Sequence, residues 1–364
     1  MSDIPTSPFD ARAGADALLS APQSIGPPPW PTDDPFLFCV HHLDAFPAGD
    51  AAMGPAGGVA GREIGMDFAN KDGWNMYHGD RVPGFPQHPH RGFETVTFVR
   101  RGFVDHSDSL GATARYGAGD VQWLTAGGGI VHAEMFPLLR TDAPNPMELF
   151  QIWLNLPAVD KMVDPHFAML WSEQVPRPIV HDAAGRATEL TIAAGRFAGQ
   201  RPPAPPPRSY ASLPDADVAI WTVRCTPGAQ VTLPAARRGT LRSLYAFRGE
   251  GGLVAGQPIR GRVRLRLRGD AEIGIEAGPN GLDLLLLQAK PIGEPVAKHG
   301  PFVMNTREEL MKAYSDYRAT QFGGWPWSSD GPVHPRDAGR FAVHVGGRVE
   351  RPPVAAPNVP NRRG

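Results

Sequence analysis

The sequence predicts an all-β protein built from two domains. Short runs rich in β-branched and aromatic residues recur between Gly-rich turns along most of the chain. Glycine (42) and proline (40) are both abundant, which opposes a helical bundle. The length, 364 residues, exceeds one typical domain, and the run RPPAPPP at 201–207 interrupts the chain. Proline donates nothing to a sheet ladder, so that run reads as a connecting loop near the boundary between halves.

Residues 1–33 are rich in Pro, Ala, Ser and Asp and bury little, so a flexible arm is expected there. Residues 34–200 form the first domain. Within it Glu94–Val99, Val121–Thr125, Leu149–Leu156 and Glu189–Ala193 read as strands. Residues 208–325 form the second, with strand-like runs at Val218–Arg224, Gln230–Leu233, Leu244–Arg248, Arg262–Leu267, Ala271–Ile275 and Leu282–Ala289. Many short strands between turns favour barrels or sandwiches. A short helix follows from Thr306, where Thr306 and Glu309 fit a capping box and Leu310, Ala313, Tyr314 and Tyr317 share one face. Residues 326–364 read as a mostly disordered tail, with Arg340–Val345 able to add a strand. Both ends are expected to contribute little to stability.

A net charge of −1 gives no global attraction to nucleic acid or anionic membrane. Two distant cysteines, Cys39 and Cys225, make no disulfide framework and suit a reducing compartment. The start of the chain lacks a secretory pattern, and no run approaches eighteen apolar residues, so a cytoplasmic protein is expected.

The chemistry concentrates in two short segments. In Gln87-His88-Pro89-His90 the histidines lie two apart, and residues two apart on a strand share a face. His132 and Glu134 repeat that spacing after the Gly127–Gly129 turn. Two such pairs on facing strands supply three nitrogens and one oxygen to one divalent ion. That donor set suits Fe(II), and also Mn, Ni, Co or Zn. Glu94, four residues after His90, has the same parity, and spacing alone does not exclude it as the oxygen ligand. His106 reads as a loop histidine. Arg91, of opposite parity, reads as an ion-pair residue at a surface or domain boundary. Arg260, Arg262, Arg264, Arg266 and Arg268 alternate and read as a solvated strand face.

The segments HPHRGFETVT, HSDSLG, GDVQWLTAGGGIVHAEM and QIWLNLP, with HGPFVMNTREEL at 299–310, resemble the pirin family of the cupin superfamily. The resemblance spans roughly residues 34–325. It implies two tandem cupin barrels (a bicupin), with one iron in the first and a degenerate second. It assigns the carboxylate ligand to Glu134 and leaves Glu94 as either an outer partner of the ligands or a structural residue. It implies either of two roles. One is a quercetinase-type dioxygenase taking O2 and a small aromatic substrate, with Glu134 also serving in catalysis. The other is a redox-sensing metal protein acting on a regulatory protein partner, such as a transcription cofactor without turnover. Phe85, Met135, Phe136 and Trp153 are the apolar side chains near the ligands, and an aromatic substrate is expected to pack on them.

Overall fold

The computed structural model describes residues 9–354. Nine strands build the first half: β1 (Phe36–Phe46), β2 (Gly84–His90), β3 (Phe93–Arg101), β4 (Phe103–Asp108), β5 (Thr113–Gly117), β6 (Val121–Thr125), β7 (Ile130–Met135), β8 (Asn145–Asn155) and β9 (His166–Leu170). They form a five-stranded sheet in the order β9-β6-β3-β8-β1 and a second sheet containing β5-β4-β7-β2. Alternation along β3 sorts its side chains. Val99 joins Val104, Leu124, Ile130 and Leu149 in the barrel interior, whereas Val96 and Phe98 face the other way.

The second half contains β10 (Ile179–His181), β11 (Ala187–Ala194), β12 (Ala219–Cys225), β13 (Gln230–Leu233), β14 (Leu241–Arg248), β15 (Val263–Arg268), β16 (Ile273–Glu276) and β17 (Leu282–Ala289). Its large sheet runs β15-β14-β17-β12-β11-β10, and β13 and β16 lie in a smaller one. Strand β17 reads LDLLLLQA and is buried along its whole length. Leu284 and Leu286 fill the second barrel, while Leu285 and Leu287 turn to the partner barrel. There they meet Val96, Phe98, Trp123 and Ile152, so the barrels pack back to back through one apolar layer. A sheet covered on both faces needs such a continuous hydrophobic run.

Strand β11 lies before the Pro-rich run yet pairs with β12 across it. The boundary near residue 200 is therefore corrected: that run is an excursion within the second sheet. The helix α1 (Arg307–Thr320) has the expected capping box, with Thr306 Oγ1 accepting from Glu309 N at 3.2 Å. Its buried Leu310 and Ala313 pack with Phe302, Met304 and Val131, the last from the first barrel. No helix in the described residues is long and apolar enough to cross a membrane.

Both ends are more ordered than expected where they are described, although the strand expected within Arg340–Val345 is present; residues 1–8 and 355–364 lie outside that range. Gln23–Ser24 pairs with β15, and Trp30 is buried against Tyr245 at 5.5 Å. Asp33 takes ion pairs from Arg264 and Arg266, so this part of the arginine face is covered rather than solvated. At the other end, Phe341–Val343 pairs with β5, and Trp327 Nε1 donates to Asp108 O at 2.8 Å. Arg115 is buried, paired with Asp105 at 2.7 Å, and donates to the carbonyls of His334 and Pro335. These segments dock through ion pairs, isolated indoles and backbone groups, which leave no hydrophobic period in the sequence.

Glu94 lies between the barrels. Its carboxylate accepts from Trp123 Nε1, Thr125 Oγ1, Ser209 Oγ and Tyr210 N, the last two from the linker. Burial outweighs these donors and pushes its pKa up to about 7 from the ordinary 4.5. Between those values the folded chain binds more proton than the unfolded chain, so stability falls as pH rises through that window. Wild type should therefore lose stability relative to Glu94→Gln between about pH 5 and about pH 8, read as urea midpoints. A constant difference across that range would contradict this account. Deleting residues 326–364 should strip the tail's carbonyls from Arg115 and the added strand from β5, and lower Tm by at least about 5 °C. An unchanged melting curve would show that the docked tail adds no stability.

Candidate metal centre

Strands β2 and β7 are antiparallel neighbours, and His88 stands opposite His132. A register shift between Phe85 and His88 bulges β2 just before the ligand pair. The chain then turns at Arg91-Gly92. Gly92 has φ +84°, and a Cβ there would lie 1.9 Å from Val303 O, so only glycine fits. Three imidazoles converge as a result. Ring centroids are 4.8 Å apart for His88–His90, 4.5 Å for His88–His132 and 4.9 Å for His90–His132. One nitrogen from each falls within 4.8 Å of the others.

The hydrogen bonds sort the ring nitrogens. His88 Nδ1 donates to Pro86 O at 2.8 Å, and His90 Nδ1 lies 3.4 Å from Pro301 O, a carbonyl of the second half. Each arrangement leaves Nε2 as the lone-pair end. His132 is fully buried, and neither of its ring nitrogens has a partner among the described residues. A buried unsatisfied nitrogen costs about 1–3 kcal/mol, and a bound cation removes that cost. Burial lowers the pKa of His88 and holds His90 and His132 well below the usual imidazole range. They are neutral, the form in which imidazole binds a metal. The residues present therefore fit a resident divalent ion.

Glu134 shares the His132 face of β7, but its carboxylate is not in the three-nitrogen group. Oε1 accepts from Thr97 Oγ1 at 3.0 Å and Tyr116 OH at 3.3 Å, and Oε2 from Gln151 Nε2 at 2.6 Å. Sequence reading missed these three neutral donors, because Thr, Tyr and Gln on strands carry no motif. Glu94 is not an outer partner of the histidines: its four donors all lie on β6 or the linker. Counting by twos from His90 failed because the Gly92 turn moves the chain into the other sheet. His106 is also corrected. It lies on β4, not in a loop, opposite Glu134, with its ring 5.5 Å from His132. Arg91 makes the expected ion pair, with Asp316 of α1 at 2.8 Å.

A cavity of about 1050 Å³ opens beside the histidines, and His88, His90, Gln151 and Pro301 line it. Of the four apolar side chains singled out in the sequence, Phe85 and Trp153 are on its wall. Phe136 is instead in the barrel core, and Met135 faces the terminal segment at Gly331. The opposite parity of Met135 on β7 explains its position. The Phe38, His41, His42 and Tyr77 walls carried no sequence signal; they come from β1 and the irregular segment after it.

Residues 63–154 match the family model described as Pirin, and residues 220–323 match the one described as Pirin C-terminal cupin domain. A Pseudomonas aeruginosa protein provisionally named a quercetin 2,3-dioxygenase is 38% identical over 241 residues, covering 66% of this chain and 79% of the relative. Pirin of Homo sapiens is 33% identical over 255 residues, covering 69% of this chain and 81% of its own length. Among solved structures, a crystal structure titled quercetin 2,3-dioxygenase from Acinetobacter baumannii superposes with a TM-score of 0.65. It is 26% identical and covers 85% of this chain and 98% of that one. Both halves match in sequence, and both barrels and the histidine cluster are in place, so the chain belongs to the pirin family of two-barrel cupin proteins.

Proposed function

We propose that this protein is an iron-dependent dioxygenase of the quercetinase type, acting on flavonols or related hydroxylated aromatics. The observation that carries the proposal is the fully buried His132, whose two nitrogens have no partner among the described residues, beside two further neutral histidines that line an aromatic-walled cavity. The names of the Pseudomonas and Acinetobacter proteins point to the same class of substrate. His88, His90 and His132 would hold the ion, with Glu134 as the oxygen ligand. An Fe(II) ion there would supply Lewis acidity and one-electron chemistry toward O2.

The chain's own residues do the rest. Pro86 O and Pro301 O fix two imidazoles so that Nε2 is the free end. Thr97, Tyr116 and Gln151 hold the Glu134 carboxylate beside them, with no cationic partner among the described residues. Trp153 lies 5.3 Å from the His90 ring and 4.3 Å from Phe93, and Phe85 lines the same cavity, giving flat apolar walls for a planar ligand. The volume is near the upper end for a small-molecule site, enough for a three-ring substrate.

His88→Ala and His132→Ala should fold with an unchanged circular dichroism spectrum and bind at least about tenfold less metal after dialysis. Full stoichiometric metal in either variant would remove it from the ligand set. Glu134→Gln should lose metal in the same assay while Glu94→Gln keeps it; the reverse result would exchange their roles. The iron-loaded wild type should consume O2 when quercetin is added. Loaded protein that binds quercetin without oxygen uptake would sink the dioxygenase reading.

A further inference from the structure

A second group of buried polar side chains lies on the same cavity, away from the metal ligands. Asp44, on β1, is 2% exposed. Its Oδ1 accepts from Asn75 N at 2.9 Å and Asn75 Nδ2 at 3.1 Å, and its Oδ2 from Tyr77 OH at 2.7 Å. Tyr77 Oη is also 2.8 Å from His42 Nδ1. A tyrosine has one hydroxyl proton, and here Asp44 receives it. His42 Nδ1 must therefore be the donor to Tyr77 Oη. This fixes the tautomer: Nδ1 carries the hydrogen, and Nε2 carries the lone pair. His42 lines the cavity, and its Nε2 has no protein partner among the described residues.

Two further observations mark the group as more than core. Tyr77 has φ +59°, a left-handed conformation that a bulky aromatic residue rarely adopts, and strain of this kind gathers at functional sites. Phe85 touches both centres, its ring centroid 5.8 Å from His42 and 6.4 Å from His88. A flat ligand lying on Phe85 would reach His42 at one end and the histidine cluster at the other.

We propose that His42, Tyr77 and Asp44 form a proton relay that takes the proton of a substrate phenolic hydroxyl. His42 Nε2 accepts that proton, His42 Nδ1 gives its own to Tyr77 Oη, and Tyr77 gives its own to Asp44 Oδ2. Tyrosine and histidine end neutral, Asp44 ends as the acid, and the substrate ends as the phenolate. One negative charge moves from Asp44 to the substrate, and no oxidant is needed. The charge state of the chain suits this transfer. Burial pushes the Asp44 pKa up to about 6 and the His42 pKa down to about 3, so a neutral imidazole faces a carboxylate poised near neutrality. The charged and titratable groups around the chain are His41, His78, the Arg62–Asp67 pair at 2.9 Å, Asp72 beside Arg62, and Arg262 on the cavity wall. Arg62 acts on Asp44 and His41 on His42 through space.

The relay rests on reading the cavity as a site for hydroxylated aromatics. The test uses the full chain loaded with zinc, which binds without redox chemistry, and quercetin under argon. The red shift of the flavonol absorption band on deprotonation is followed against pH. His42→Asn keeps an N–H donor toward Tyr77 and removes the Nε2 base; Tyr77→Phe cuts the chain and keeps the ring. Both should retain zinc and bind quercetin, with the deprotonation midpoint raised by at least about one pH unit, a tenfold weaker proton acceptor. Midpoints equal to wild type in both variants would overturn the relay alone. Loss of zinc in either would put these residues in the metal site and overturn it too. A wild type that binds no quercetin would defeat the substrate reading and the relay together.

Discussion

The site depends on one pairing, that of β2 with β7, which sets His88 opposite His132. A slip of one residue would turn each of these side chains away from its partners, because the side-chain period of a strand is two. The register is braced from outside this strand pair. The Lys161 ammonium donates to Gly92 O at 2.8 Å, to Asn155 Oδ1 at 2.7 Å and to Val303 O at 3.3 Å. It thereby ties the turn after His90 to the second half of the chain. Arg91 adds its ion pair with Asp316 and covers the Phe322 ring at 4.5 Å. Pro301 O orients His90 from the same side. The second barrel has no counterpart of the ligand pairs in its own sequence, yet its C-terminal extension closes and positions the centre in the first.

This division explains what was legible in the sequence. The convergence of His88, His90 and His132 could be read because two-residue spacing has a direct meaning on a strand, and each pair stays within one strand. Glu94 could not be placed that way, since the count crosses a glycine turn into another sheet. The strands and the α1 capping box follow from local patterns and are present. The docked ends are not local. Arg115, Arg340 and Trp327 bind groups more than 200 residues away, and no periodicity announces such contacts. The same is true of Tyr116, Gln151 and the His42–Tyr77–Asp44 chain, which become a site only when β1, β5, β7, β8 and the segment before β2 are brought together.

Three buried carboxylates show how the fold assigns different work to one chemical group. Glu94 joins barrel to linker through four donors. Glu134 rests among three neutral donors next to the histidines, where a buried negative charge is costly unless a cation lies nearby. Asp44 is held by Asn75 and Tyr77, one side chain removed from the cavity.

The charge balance then bears on where a substrate proton should go. Three neutral imidazoles and one carboxylate would leave a divalent ion with a single uncompensated positive charge. A phenolate would complete neutrality at the ion, which favours an ionised ligand over a neutral one. If Glu134 took the proton, it would surrender the one anionic group among the proposed ligands and restore the imbalance. A separate acceptor avoids that conflict. Asp44, reached through His42 and Tyr77, would take the proton in the proposed relay and leave the Glu134 carboxylate to the ion, so holding the ion and accepting the proton would fall to different side chains.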